Sequence, residues 1–371
     1  MEKLTDICDI QYGYAFDSAC FTEDSSYPPL VRIRDVKRGF SATYYSGEYP
    51  EEYVLHAGDL LVGMDGEFNI ARWKSIDALL NQRVCKLTAK EGTNEEYLRF
   101  AMVKVLKAIE DKTAFVTVKH LSAKELNKLE LDIPCIEEQN LRADSLSKLE
   151  KIISLREEEL RLLDNLIKAR FVEMFGDAVD NPMEWEKKQL QEIVTDDCAI
   201  SYGIVQTGND QEEGVPVFRP VDIVNRIPKL EELKRTTEEI SNKYKRTILK
   251  GHEMLITVRA NIADTCIVGK EFKGCNVGRG IVPIRTQENI MVLEFLKYLM
   301  DSKHLNDDIK SKAKGITLIQ LNMEDLREVE LIIPPIEQQK VFVKFAEQVN
   351  KSKVVAQKAL DETQLLFDSV M

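Results

Sequence analysis

One stretch of 23 residues occurs twice in this chain, from Thr117 to Gln139 and again from Thr317 to Gln339. Ten of the 23 aligned positions are identical. Each copy has a cap-type residue before a short helical segment, then a mostly alternating apolar strand pattern that stops at a proline. An acidic residue and a long helical pattern follow directly. Because this joint between a globular unit and a long helix is duplicated, we expect the whole protein to be duplicated.

Weaker matches between the two halves continue outside the joint and keep the same chain order. Residues 29–36 match 216–223 at an offset of 187, and residues 97–102 match 295–300 at an offset of 198. Arg83 aligns loosely with Arg279, at an offset of 196. Insertions in surface loops between retained core elements would make the offset grow in this way.

The repeat predicts four segments. Each globular half combines short strand patterns and turn signals with one helix, near 94–110 and near 288–303, so we expect an α+β (mixed α/β) fold. The expected boundaries are a first globular domain at 1–135, a central long helix at 136–176, a second globular domain at 177–335 and a C-terminal long helix at 336–371.

Both long helices carry an apolar stripe with steps of three and four residues, which is typical of a coiled coil. Each stripe needs a partner, and the other helix is the nearest one. The seam is predicted to include Leu149, Ile153, Leu160, Leu163, Ile167, Phe345, Val349, Ala356 and Leu366.

The charge balance constrains the binding partners. The net charge is −12, and neither globular half is basic: residues 1–133 carry 17 basic and 22 acidic side chains, and residues 176–333 carry 22 and 27. A nucleic-acid site would therefore be a local basic patch, or a partner would supply the missing positive charge.

Other features narrow the class of protein. No apolar run is long enough to span a membrane, and the N-terminus lacks an apolar signal core. The seven cysteines are scattered without a CxxC pair, which indicates buried thiols in a reducing cytoplasm and disfavours a disulfide framework or a zinc site. Phosphate-binding glycine motifs and metal-ligand spacings are missing, so we expect no catalytic residue, cofactor or metal.

The order of globular unit, long helix, globular unit and long helix, with the paired joints, closely resembles the specificity subunit of type I restriction-modification systems. Segments 58–62, 65–69, 80–84 and 162–176 also look like that family. The resemblance implies that each globular half is a target recognition domain reading one half of a bipartite double-stranded DNA target. It also implies that the helices pack antiparallel as a spacer and dock two methyltransferase subunits, and that restriction (motor) subunits join the full complex.

Candidate DNA contacts are basic and polar residues that can hydrogen-bond to phosphates or base edges. In the first half they are Arg32, Arg34, Lys37, Arg38, Glu67, Asn69, Arg72, Lys74, Arg83 and Lys119. In the second half they are Arg219, Arg226, Arg259, Asn261, Arg279, Lys310, Lys312 and Lys314.

Each group of candidates has a structural alternative. The cations at 32–38 could be a solvated strand end, and the basic run at 310–314 could be solvated as well. Segment 65–74 could be an ordinary hairpin with a buried Trp73, and Arg83 and Arg279 could form structural salt bridges.

Two other functions stay open on the sequence alone. One is a DNA methyltransferase or nuclease with an unrecognised site, which S-adenosylmethionine binding by the isolated chain would favour. The other is a coiled-coil adaptor that binds only protein, which loss of all DNA sequence preference would favour.

Overall fold

The computed structural model describes residues 1–66, 68–112, 120–198, 200–223, 228–315 and 319–371. Three candidate contacts, Glu67, Lys119 and Arg226, lie outside the described residues, as do Thr117 and Thr317 of the repeat. The chain divides into two compact units. Unit 1 comprises residues 1–157 and 357–371, and unit 2 comprises residues 158–356.

Among its described residues, unit 1 contains short strands, four α-helices of its own and parts of the two long helices. Its strands are β1 (Glu2–Lys3), β2 (Cys8–Tyr12), β3 (Phe21–Thr22), β4 (Leu30–Val31), β5 (Tyr44–Tyr45), β6 (Val54–Leu55), β7 (Leu60–Gly63), β8 (Asn69–Arg72), β9 (Ala78–Leu80), β10 (Val84–Ala89) and β11 (Glu130–Leu131). Its helices are α1 (Leu4–Ile7), α2 (Ile33–Arg38), α3 (Glu95–Lys112), α4 (Ala123–Leu126), the first part of α5 (Ile136–Phe175) and the last part of α11 (Ile336–Val370).

The main sheet of unit 1 has the strand order β2-β10-β7-β8 and is antiparallel. Successive side chains of a strand point to opposite faces, so β7 contributes side chains to two hydrophobic cores. Leu60 and Val62 pack in one core with Leu98 and Met102 of α3. Leu61 packs in another with Trp73 and the β4-β9-β6 sheet. The main sheet is therefore covered by a helix on one face and by a second sheet on the other.

Unit 2 repeats this plan. Its strands are β12 (Lys187–Gln189), β13 (Val215–Phe218), β14 (Lys234–Thr236), β15 (Glu253–Thr257), β16 (Thr265–Val268), β17 (Asn276–Val277), β18 (Ile281–Ile284) and β19 (Glu330–Ile332). Its helices, besides the second part of α5, are α6 (Leu190–Ile193), α7 (Glu238–Lys243), α8 (Leu293–Met300), α9 (Lys303–Ser311), α10 (Met323–Arg327) and most of α11 (Ile336–Val370).

The two units share their pairing pattern. Strands β8-β7-β10 correspond to β16-β15-β18, and the parallel pair β4/β9 corresponds to the parallel pair β13/β17. In each unit the first strand pairs antiparallel with the strand just before a long helix, as β1/β11 and β12/β19. The capping box predicted at the first joint is present, because Ser122 Oγ accepts from the Glu125 N–H and Glu125 Oε2 accepts from the Ser122 N–H.

Strand register corrects one sequence match. Val84 lies opposite Gly63, and Ile281 lies opposite Thr257. Gly63 and Thr257 are the last residues of the corresponding strands β7 and β15, so Val84 corresponds to Ile281 and Arg83 corresponds to Gly280. The prediction that Arg83 matches Arg279 is wrong by one residue. A short apolar run fits either register in the sequence, whereas the ladder of hydrogen bonds permits one.

The long helices bury apolar side chains within each unit. In unit 2, Phe171 of α5 packs on Phe342 of α11 at 5.4 Å between ring centroids, and Asp164 pairs with Lys353. Residue numbers rise along one helix as they fall along the other, so the two segments are antiparallel there. Among the predicted seam residues, Ile167, Val349 and Ala356 are buried, and Leu149, Ile153, Leu160, Leu163 and Phe345 are half-buried.

Leu366 departs from the predicted seam. Its side chain is 52% exposed, whereas the neighbouring Phe367 packs edge-on against Phe100 at 5.9 Å. The apolar stripe therefore steps four residues from Thr363 to Phe367, because the larger ring reaches α3.

Candidate nucleic-acid interface

A basic cleft of about 450 Å³ in unit 1 brings together residues that are distant in the sequence. Strands β4 and β9 are parallel neighbours, so the residues that follow them meet at one edge. Arg32 and Arg34 follow β4, and Asn81, Gln82 and Arg83 follow β9, and all five line the cleft. Guanidinium and amide groups are the side chains that pair with guanine and adenine edges.

Helix α2 presents the first group of cations. Buried Asp35 accepts a hydrogen bond from the Arg32 backbone N–H at 3.0 Å and another from Ser41 Oγ at 3.0 Å. Gly39 ends the helix at φ +77°, a left-handed conformation that glycine adopts without strain. These contacts hold α2 in place. Arg32, directly before the helix, and Arg34, Lys37 and Arg38 within it are all exposed.

The β7–β8 hairpin carries a polar cluster at its end. The Asp65 carboxylate pairs with His120 Nδ1 and lies 3.3 Å from Arg83 Nε. The side chain of Arg83 remains 51% exposed. Asp65 therefore anchors Arg83 at one edge of its guanidinium group while the other edge stays accessible.

Other candidates in unit 1 have structural partners. Arg72 donates to Glu95 and Glu96 at 2.8 Å each and to the Gly58 carbonyl, which ties β8 to α3. Trp73 is 1% exposed, as the hairpin alternative expected. Asn69 is half-buried opposite Gly63, and Lys74 is exposed.

Arg219 occupies in unit 2 the position that Arg32 occupies in unit 1. Both arginines follow the first strand of a parallel pair, and both backbone N–H groups donate to an aspartate three residues on. The Arg219 side chain differs because it also forms two hydrogen bonds to Asp222, at 3.1 and 2.8 Å. Its guanidinium group is therefore fixed close to its own backbone.

A second polar cluster lies at the end of the β15–β16 hairpin, where unit 1 has Asp65. Arg259 Nε donates to Gln320 Oε1 at 2.6 Å, and Gln320 Nε2 donates to the Tyr202 hydroxyl. The Arg279 guanidinium lies 5.9 Å from the centre of the Tyr202 ring. Arg259 is half-buried, so the cluster joins three segments of unit 2 at its surface.

The remaining candidates of unit 2 lie beside this cluster or on α9. Lys314 exchanges backbone hydrogen bonds with Gln320 at 2.9 and 3.0 Å, and its side chain is 74% exposed. Asn261 is exposed in the hairpin loop, and its carbonyl accepts from the Thr257 hydroxyl. Lys310 is exposed, and Lys312 pairs with Asp308 at 2.8 Å.

The individual contacts predicted from the sequence did not include several polar residues of these clusters: Asn81, Gln82, Asp65, His120, Tyr202 and Gln320. Asp65 does lie in the candidate segment 65–74. The sequence did contain one repeated pattern near these clusters, a Tyr-Gly dipeptide at 12–13 and again at 202–203. A Cβ at Gly13 would lie 2.1 Å from the Asn81 carbonyl oxygen, and one at Gly203 would lie 2.0 Å from that of Val277. Only glycine fits these two matching places.

A group with metal-ligand geometry was not expected from the sequence. Asp177, Asp180 and His304 bring their ligand atoms within 4.8 Å of one another, although His304 is far from the aspartates in sequence. The Asp177 carboxylate already accepts from the N–H groups of Val179 and Asp180 and pairs with His304 at 2.6 Å.

Comparison with known proteins decides the family. The family described as type I restriction modification DNA specificity domain matches residues 1–164 and 182–362. The chain belongs to this family. The resemblance seen in the sequence is thereby confirmed, and the protein is a specificity subunit of a type I restriction-modification system with two target recognition domains.

Individual relatives agree with the family. The chain is 31% identical to the EcoBI specificity subunit of Escherichia coli, over 94% of this chain and 78% of that one. It is 21% identical to the putative MjaX specificity subunit of Methanocaldococcus jannaschii, over 62% of this chain and 54% of that one.

Two solved structures share the fold. The S subunit from M. genitalium has a TM-score of 0.60 at 13% identity, covering 100% of this chain and 94% of that one. A chain from a study of type I system assembly and conformational transition has a TM-score of 0.58 at 18% identity, covering 99% and 95%. The predicted α+β fold with two repeated globular domains and two long helices is confirmed. Among the described residues, no helix combines the length and apolarity that crossing a bilayer requires.

Proposed function

We propose that each unit reads one half of a bipartite duplex DNA target, and that the chain itself binds DNA without catalysing a reaction. The observation that carries this proposal is the pair of matching hairpin ends, which hold different polar side chains in the two units. Unit 1 has Asp65, His120 and Arg83 there, and unit 2 has Arg259, Gln320 and Tyr202. A shared scaffold with different hydrogen-bonding groups suits two readers of different half-sites.

The proposed functional division is 1–135 and 177–335 for the two readers, with 136–176 and 336–371 as the spacer helices. The proposed DNA contacts are the candidates at the cleft of unit 1 and at the hairpin-end cluster of unit 2. They are above all Arg32, Arg34 and Arg83 in unit 1 and Arg259 and Arg279 in unit 2. Arg72 is the weakest candidate, because two carboxylates already bind it.

We propose that methyltransferase subunits, two of them by the symmetry of the repeat, dock on the long helices and that restriction subunits complete the complex. Exposed apolar side chains on the helices support a protein partner. They include Ile152 and Leu155 in unit 1, and Leu162, Leu166, Val354 and Val355 in unit 2. The proposed location is the cytoplasm, where the free thiols of all seven cysteines would stay reduced.

Mapping methylated bases across the genome, with and without this gene, tests the proposal. The expected result is a bipartite methylated sequence that disappears when the gene is removed and returns when it is restored. Methylation that is independent of the gene, or that lacks sequence preference, would contradict the proposed role. Binding of S-adenosylmethionine by the isolated chain would instead favour a methyltransferase.

A further inference from the structure

At each of the two hairpin ends, one arginine side chain is oriented by a polar partner that is distant or unrecognisable in the sequence. In each unit one arginine has a polar partner at its Nε. Arg83 Nε forms an ion pair with the Asp65 carboxylate at 3.3 Å, and Arg259 Nε donates a hydrogen bond to Gln320 Oε1 at 2.6 Å. Among the described residues, the terminal nitrogens of Arg259 have no hydrogen-bond partner. In Arg83 one terminal nitrogen lies 3.5 Å from His120 Nδ1. A guanidinium group fixed at one edge presents its opposite edge in a defined plane.

The two arginines do not come from equivalent positions. Asp65 and Arg259 occupy the same place, directly after Met64 and Val258. The backbone N–H groups of Met64 and Val258 donate to the carbonyls of Arg83 and Gly280, which directly precede β10 and β18. The counterpart of Arg83 is Gly280, where a Cβ would lie 2.5 Å from Pro220 Cγ and 3.3 Å from Arg259 Cβ. Unit 2 therefore has no room for an arginine where unit 1 has one, and its arginine lies instead at the position that Asp65 occupies in unit 1.

Resting on the proposed function, we propose that Arg83 and Arg259 each read one guanine in their respective half-sites, and that Asp65 and Gln320 are the positioning residues. A planar fork with two donors matches the O6 and N7 acceptors of guanine in the major groove. A phosphate contact needs charge more than orientation, and the more exposed Lys314 nearby suits that task.

Because Arg83 and Arg259 come from non-equivalent positions, the two units should not contact the same position of their half-sites. Arg259 belongs to the hairpin end itself, whereas Arg83 directly precedes the strand that pairs with the hairpin, so the guanine is expected at a different place in each half-site. The two half-sites are therefore expected to differ in where the guanine lies, although the two units share a fold.

The test measures base preference at every target position for the assembled methyltransferase complex, using a pool of randomised duplexes in competition. Arg259→Lys keeps the charge but loses the fork. It is expected to reduce the preference for guanine at one position roughly 10- to 100-fold. The half-site read by unit 1 is expected to stay unchanged. Arg83→Lys should give the mirror result, and Arg246→Lys, an exposed arginine of unit 2, is the matched control.

A second variant guards against a folding defect. Arg259→Gln replaces a group that matches guanine with one that matches adenine, so the preferred base at that position should change to adenine. An even loss of affinity across all sequences, with the salt dependence reduced by about one unit of slope, would assign Arg259 to a phosphate and overturn the proposal. Unchanged base preference would also overturn it. The proposed function would survive either result, because the wild-type target would still be bipartite.

The positioning role has its own readout. Gln320→Glu keeps an acceptor for Arg259 Nε and should retain the guanine preference. Gln320→Leu removes the acceptor and should reduce that preference about fivefold, with the melting temperature measured alongside. A purely structural Gln320 would lower the melting temperature and leave base preference unchanged in both variants, and that pattern would refute its positioning role.

Discussion

Gln139 and Gln339 make the same three hydrogen bonds in the two units. Each Oε1 accepts from a backbone N–H before the neighbouring helix, that of Asn94 at 2.8 Å and that of Val292 at 2.9 Å. Each Nε2 donates at 2.8 Å to the carbonyl of the joint proline, Pro134 or Pro334. The third bonds reach the carbonyls of Gly92 and Ile290. Both glutamines are at most 1% exposed, so a buried side-chain amide ties the first turn of each long helix to the globular part of its unit.

Replacing either buried glutamine should destabilise the unit that contains it. In Gln339→Leu, one buried and two partly buried backbone groups lose their partners, and we expect the free energy of unfolding to fall by about 2–4 kcal/mol. Chemical denaturation measures this change. The neighbouring Gln338→Leu is the matched control, because Gln338 is exposed, and its effect should stay within about 0.5 kcal/mol. Equal losses in both variants would show that the hydrogen bonds of Gln339 are not the cause.

Replacing Arg32 and Arg34 with alanine should change one half of the methylated sequence and leave the other half intact. Both side chains line the cleft of unit 1, and the matching Arg219 belongs to unit 2. Sequencing of methylated genomic DNA measures the outcome, with Arg219→Ala as the reciprocal variant. If both half-sites lost recognition equally, the two units would not read DNA independently.

Leu163→Asp should impair folding or assembly with the methyltransferase rather than base choice. Leu163 is half-buried against the core of unit 2, and a carboxylate in this apolar contact is expected to cost about 2–4 kcal/mol. Thermal melting and co-purification of the methyltransferase measure these two effects.

Leu162→Asp is the matched control for Leu163→Asp, because Leu162 is 52% exposed on the same turn of α5. It should fold normally, and a loss of methyltransferase binding by this variant would map the docking face. Normal folding and assembly of Leu163→Asp, together with relaxed base preference, would contradict the role assigned to the seam.

Thiol labelling should distinguish Cys135 from the buried cysteines. Burial raises the pKa of Cys85 to about 12 and that of Cys266 to about 12, so at neutral pH their reactive thiolate fraction is minute. Cys135 is exposed. Mass spectrometry after brief alkylation at pH 7.5 should find Cys135 modified first and Cys85 modified only after denaturation. Early labelling of Cys85 would contradict the buried-core assignment.

Sequence patterns predicted the parts of this protein that depend on local residues. The duplicated joint, the two long helices and the strand–turn character of each half follow from cap residues, prolines and apolar periodicity, and each lies within a few dozen residues. The resemblance to specificity subunits came from the same local segments. Individual arginines could be singled out as candidates, but their partners could not.

Tertiary structure alone decided which polar groups meet. Asp65 finds His120, and Arg259 finds Gln320, across intervals of 55 and 61 residues. Strand order and register bring these side chains together, and a one-residue difference in register separates Arg83 from its expected match, Arg279. Local patterns set the faces of each strand and helix. The pairing of distant strands depends on the packing of the whole unit, and no stretch of sequence encodes that pairing by itself.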